Sequence, residues 1–106
     1  GYNLTNLEGK LTPSNSTNET PVIVLAAHYD SRDRAERDSN PNMTDQPIPG
    51  ANDGASGVAV LWELARILPS MNLEHEVWIL LTDAEDQGTI ENPSMWALGA
   101  KAWAEN

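Results

Sequence analysis

The chain has no cysteine and no phenylalanine, and it is short of cations. Without cysteine, neither a disulfide framework nor a thiolate metal site can form. Six Lys and Arg stand against 16 Asp and Glu, a formal net charge of −10. So few cations disfavour nucleic acid and anionic membrane surfaces as partners. A cationic partner fits better: a metal ion, or a substrate carrying a free amine. Long hydrophobic runs are also missing. The longest apolar stretches, at 21–27 and 77–81, fall well below the ~20 residues that a bilayer-spanning helix needs. No signal-type segment opens the chain, which leaves secretion open because a mature chain has lost its signal.

What remains is a chain of 106 residues, 40% hydrophobic, long enough for one small domain with a modest core. A weak alternation over 2–11 predicts an edge strand. Pro21 to Ala27 is a continuous apolar, β-branched run, as in a strand buried on both faces, and it ends in His28-Tyr29-Asp30. Residues 31–50 are almost wholly polar and predict a long loop. From Ala55 to Leu68 the period becomes helical, with Val58, Leu61, Leu64, Ala65 and Leu68 on one stripe, and Pro69 ends it. Glu76 to Thr82 reads as a second buried strand. Asn92 and Pro93 look like the N-cap and first residue of a helix running to Glu105, with Trp96, Ala100 and Trp103 on its buried face.

Strand, loop, helix, strand, helix is the α/β order. Open α/β sheets bind ligands beyond the C-terminal ends of their parallel strands. His28 follows one such strand, Glu85-Asp86 follows the other, and Asp53 enters the helix between them. Each has an ordinary alternative: a hydrogen-bonded strand end, a turn with a helix N-cap, a solvated acidic turn. Their coincidence on one rim points to a cation, because crowded carboxylates repel unless a positive charge joins them. The imidazole favours zinc or a similar transition ion over calcium. Asp30, two residues past His28 on the same side of an extended chain, is placed to orient it. Gly50, Gly54 and Gly57 precede a helix, but their spacing is not G-x-G-x-x-G and Asp53 would repel a phosphate, so a nucleotide site is excluded.

His28-Tyr-Asp30-Ser31, Pro49-Gly-Ala-Asn-Asp53-Gly-Ala-Ser-Gly57 and Asp83-Ala-Glu85-Asp86-Gln-Gly88 together resemble the metal motifs of the zinc aminopeptidase family. That family includes bacterial leucyl aminopeptidase and aminopeptidase Y, and shares its fold with glutaminyl cyclases. The resemblance covers about residues 21–104. It implies a three-layer α/β sandwich with a mixed, mainly parallel central sheet flanked by helices. It also implies two zinc ions, with His28 on one, Asp53 bridging and Asp86 on the other, where many relatives carry Glu. Glu85 would be the general base and Asp30 the residue that orients His28. Trp96 would line the substrate pocket, or be an ordinary core residue.

The family's two further ligands, an Asp and a His, come from later segments. Residues 1–106 are therefore expected to form the N-terminal part of a longer catalytic domain. The missing part, or another copy, would cover an exposed sheet edge. The expected activity is removal of N-terminal residues from peptides with a free N-terminus. A glutaminyl cyclase and a non-catalytic interaction domain are the alternatives. N-x-Ser/Thr patterns at Asn3, Asn15, Asn18 and Asn42 suggest a secreted or extracellular protein.

Overall fold

The computed structural model describes residues 3–106. Strand β1 (Leu7–Leu11) pairs antiparallel with β3 (Glu76–Thr82), and β2 (Val22–His28) pairs parallel with β3 on its other side. The order β1-β3-β2 makes a mixed sheet with β3 at its centre. Val77, Leu80 and Thr82 of β3 are buried. The register runs from Val22 opposite Glu76 to His28 opposite Thr82, so β2 and β3 end side by side. Their C-terminal ends form one rim. The predicted edge strand is confined to Leu7–Leu11, and the Tyr2 end of that expectation lies outside the described residues.

Burial of β2 on both faces is not what the structure shows. Val22, Ile23 and Val24 are 43%, 45% and 40% exposed. The apolar run reads the same whether a strand is central or at an edge, and among the described residues β2 has a neighbour on one side only.

Helix α1 (Ala55–Ile67) follows the predicted stripe, with Leu61 buried, and passes at Pro69 into a 3-10 turn, Leu68–Ser70. It lies close on β2 at Gly57, where a Cβ would stand 3.0 Å from the Ala27 Cβ. Ala27 and its partner Leu81 face α1, so Trp78 faces the other side of the sheet, and helix α2 (Leu98–Ala104) meets it there. There Trp103 meets Trp78 edge-on at 6.4 Å, and its Nε1 donates to Glu8 Oε2 at 2.8 Å. With a helix on each face, the chain is a three-layer α/β sandwich.

The second helix is shorter than its sequence predicts. Pro93–Met95 form only a 3-10 turn, Trp96 is extended, and Ala97 is left-handed (φ 55°). Trp96 instead forms an antiparallel bridge with Asp86. The N–H groups of Ala97, Leu98 and Gly99 then donate to the carbonyls of Glu85, Ala84 and Asp83 at 2.9, 3.0 and 3.0 Å. Donors that an α-helix leaves unpaired at its start thus tie down the segment after β3. Trp96 therefore does not share a helical face with Ala100 and Trp103. A local tie to residues 83–86 outweighs the cap-and-proline signal.

Candidate metal centre and adjoining cavity

Three segments meet at the rim. β2 ends on His28, the turn before α1 carries Asp53, and the segment after β3 carries Glu85 and Asp86. The turn is tight. Gly54 has φ 93°, and a Cβ there would come within 2.7 Å of the Asp30 carbonyl oxygen and 3.3 Å of His28 Cε1. Only glycine tolerates both the dihedral and the approach.

His28 Nε2 lies 3.0 Å from Asp53 Oδ1, and His28 Nδ1 lies 3.1 Å from the Asp30 carbonyl oxygen. A carbonyl oxygen only accepts, so Nδ1 carries the hydrogen and donates it. In neutral imidazole Nε2 then turns a lone pair toward a carboxylate. A proton or a metal ion between the two atoms reconciles them. Zinc-to-nitrogen and zinc-to-oxygen bonds of about 2.0–2.2 Å put tetrahedral neighbours roughly 3.3 Å apart, so this pair fits two positions of one ion. The Asp53 side chain is 70% exposed.

Asp30 does more than face His28. Its carboxylate, 12% exposed, accepts from the backbone N–H of Glu85 at 3.0 Å (Oδ1) and of Asp86 at 3.2 Å (Oδ2). Oδ1 also stands 3.5 Å from His28 Nδ1. One part-buried carboxylate therefore joins the end of β2 to the acidic pair. Asn6 supports the same segment: its Oδ1 accepts from Asp83 N at 3.0 Å and its Nδ2 donates to the Gly99 carbonyl at 2.8 Å. Burial pushes the Glu85 carboxyl above the usual carboxylate range. His28 pulls it back, and the charges of Asp86, Asp30 and Asp53 push it further up.

Asp86 takes a different partner. Its Oδ1 accepts from Arg32 Nη1 at 3.2 Å, with the two side chains 12% and 14% exposed. Among the described residues, no three His, Asp or Glu side chains are grouped to hold one ion. The structure thus brings His28 and Asp53 into contact, sets Glu85 beside them, and gives the Asp86 carboxylate to Arg32. Asp53 and Asp86 nonetheless line one open cavity of about 920 Å³ with Arg32, Ile48, Ile90 and Trp96.

Arg32, Asn6 and Gly54 are the contributors the sequence pattern did not single out as site residues. Gly54 was legible, since a glycine between a rim carboxylate and a helix invites a close approach. Arg32 and Asn6 act across 54 and 77 positions of chain, and spacing carries no signal for that.

Residues 6–106 match the profile of peptidase family M28. A probable zinc metalloprotease of Pyrenophora teres f. teres is 36% identical over 87 residues, 80% of this chain and 16% of that protein. Aminopeptidase YwaD of Bacillus subtilis is 32% identical over 69 residues, 65% of this chain and 12% of that protein. Among solved structures, glutaminyl cyclase of Tannerella forsythia superposes with a TM-score of 0.84 at 36% identity, covering 95% of this chain and 35% of the other. A leucine aminopeptidase precursor of Bacteroides thetaiotaomicron gives 0.79 at 33% identity, covering 100% and 43%. The chain thus spans well under half the length of these proteins. With the profile matched from Asn6 to the last residue and the same fold in an aminopeptidase and a cyclase, the chain belongs to peptidase family M28.

Proposed function

We propose that the whole protein is a zinc-dependent aminopeptidase. The observation that carries this reading is the 3.0 Å approach of His28 Nε2 to Asp53 Oδ1 beside a desolvated Glu85. His28 and Asp53 would hold an ion, and Asp86 would join a second once released from Arg32. Zinc, when bound, makes water more acidic and polarises a carbonyl. Glu85 in its ionised form takes a proton from the attacking water and returns it to the departing amine. Burial raises its affinity for a proton, which favours the first half of that transfer. Asp30 keeps Glu85 and His28 in mutual register. The acidic rim attracts the substrate's N-terminal ammonium.

In this reading residues 1–106 are part of a catalytic domain that is completed elsewhere. The exposed Val22–Val24 edge supports it, as does a radius of gyration of 16.9 Å. A compact chain of this length would measure about 13 Å. Asn3, Asn15, Asn18 and Asn42 are all exposed, which supports an extracellular setting. The test is the zinc-loaded whole protein on unblocked and N-acetylated peptides. Release of the first residue from unblocked peptide only, lost in Glu85→Gln, is expected. Equal behaviour of wild type and Glu85→Gln would refute it.

The 0.84 TM-score to a glutaminyl cyclase favours one second reading, cyclisation of an N-terminal Gln with loss of ammonia. A Gln-initiated peptide separates the two. Ammonia release without a free amino acid would select the cyclase.

A further inference from the structure

The 31–50 loop has no part in the chemistry described so far, yet it is tied to the site by one side chain. Its ends are closed by backbone hydrogen bonds from Ile48 N to the Arg32 carbonyl (3.0 Å) and from Ala35 N to the Gln46 carbonyl (2.8 Å). From this closed base Arg32 reaches across to the segment after β3. Nη1 donates to the Asp86 carbonyl (3.0 Å), Asp86 Oδ1 (3.2 Å) and the Gly88 carbonyl (3.0 Å). Nε donates to both oxygens of Glu36, at 2.8 and 2.9 Å, and Nη2 donates to Glu36 as well. The guanidinium carbon stands 5.3 Å from the centroid of the Trp96 ring. That ring lies so close on Gly88 that a Cβ there would meet it at 2.3 Å.

Among the described residues, the other arginine ion pairs are local: Arg34 with Asp33, and Arg66 with Glu63, all more than half exposed. Of these three arginines, Arg32 alone joins segments more than fifty residues apart. Its partners are the carboxylate and the indole that line the cavity beside Asp53.

We propose that Arg32 is a positioning residue that sets the wall of the substrate cavity, holding Trp96 and the Asp86–Gly88 backbone in place from the 31–50 loop. A planar fork with five donors meets two carbonyls and two carboxylates at once, and its face meets an indole. Lysine, a point charge, cannot reproduce that set. The wall contacts substrate equally before and during reaction, so its loss weakens binding more than chemistry. The substrate's identity rests on the aminopeptidase reading above; the wall's dependence on Arg32 does not.

The test uses the zinc-loaded whole protein and its Arg32→Lys, Arg32→Met and Arg34→Met variants. The near-UV circular dichroism of Trp96 is read as the difference between each protein and its Trp96→Phe counterpart. The expected result for both Arg32 variants is loss of the Trp96 signal. KM for unblocked peptide rises about tenfold, with kcat changed less than about threefold. Arg34→Met leaves all three readouts at wild-type values. Should Arg32→Met fail to fold, Arg32→Lys decides. A folded Arg32→Lys with an intact Trp96 signal and wild-type KM overturns the proposal, and so does a fall in kcat alone. If the wild type cleaves no peptide, the aminopeptidase reading fails by itself. The Trp96 signal then still decides the role of Arg32.

Discussion

Asp30→Asn removes one charge and changes almost no volume, so its effect isolates what that carboxylate does. Two backbone N–H groups, of Glu85 and Asp86, point at its two oxygens at 3.0 and 3.2 Å. Asparagine has one carbonyl oxygen, so one donor keeps an acceptor and the other meets an NH2 group. Losing a charge-assisted hydrogen bond costs about 1.5–3 kcal/mol, and stranding a part-buried donor costs up to about 1–3 more. Relaxation of the neighbouring amide offsets part of that sum, leaving about 2–4 kcal/mol. With a urea slope of about 2 kcal/mol/M, the unfolding midpoint of the metal-free whole protein falls by about 1–2 M. Asp33→Asn is the control: its carboxylate is 59% exposed and bonded only to neighbouring Arg34, and exposed pairs of this kind contribute at most about 1 kcal/mol. A loss below about 0.5 kcal/mol in Asp30→Asn would refute the claim that Asp30 joins the two strand ends.

Other outcomes follow from the same geometry. Gly54→Ala combines a strained positive φ with a 2.7 Å approach to the Asp30 carbonyl, and should lower stability by about 2–5 kcal/mol in thermal or urea unfolding. Trp103→Ala removes the edge-on contact with Trp78 and the bond to Glu8, and should cost about 2–4 kcal/mol by the same assay. Glu85 has a folded pKa above its usual 4.5, so the folded state holds the proton longer and stability falls as pH rises through that window. Glu85→Gln in metal-free protein should therefore match wild type below the usual carboxylate range. It should be the more stable of the two above it, as read by urea midpoints across pH. Amides of β2 that are not bonded to β3 should exchange quickly in the 106-residue chain and slowly in the whole protein, by hydrogen exchange.

The elements that periodicity governs were legible in the sequence. Val58, Leu61 and Leu64 mark α1, and the β-branched runs before His28 and Asp83 mark two strands whose register brings His28 level with Thr82. Hence the convergence of His28, Asp53 and Glu85 could be foreseen from chain order alone. Three things could not. Whether an apolar strand is covered depends on its neighbours, and β2 has fewer than its composition suggests. The start of α2 depends on Trp96 pairing with Asp86, a contact that no helix-start signal contains. The Arg32–Asp86 pair is likewise a product of the fold. A polar loop shows that arginines are present and not which carboxylate one of them reaches.

The central claim is that His28 and Asp53 share a cation, and anomalous diffraction at the zinc edge from zinc-loaded crystals of the whole protein tests it most directly. The account predicts an anomalous peak with His28 Nε2 and an Asp53 oxygen both at about 2.0–2.2 Å. Zinc bound without either residue, or His28 and Asp53 still in direct contact with zinc elsewhere, would contradict it.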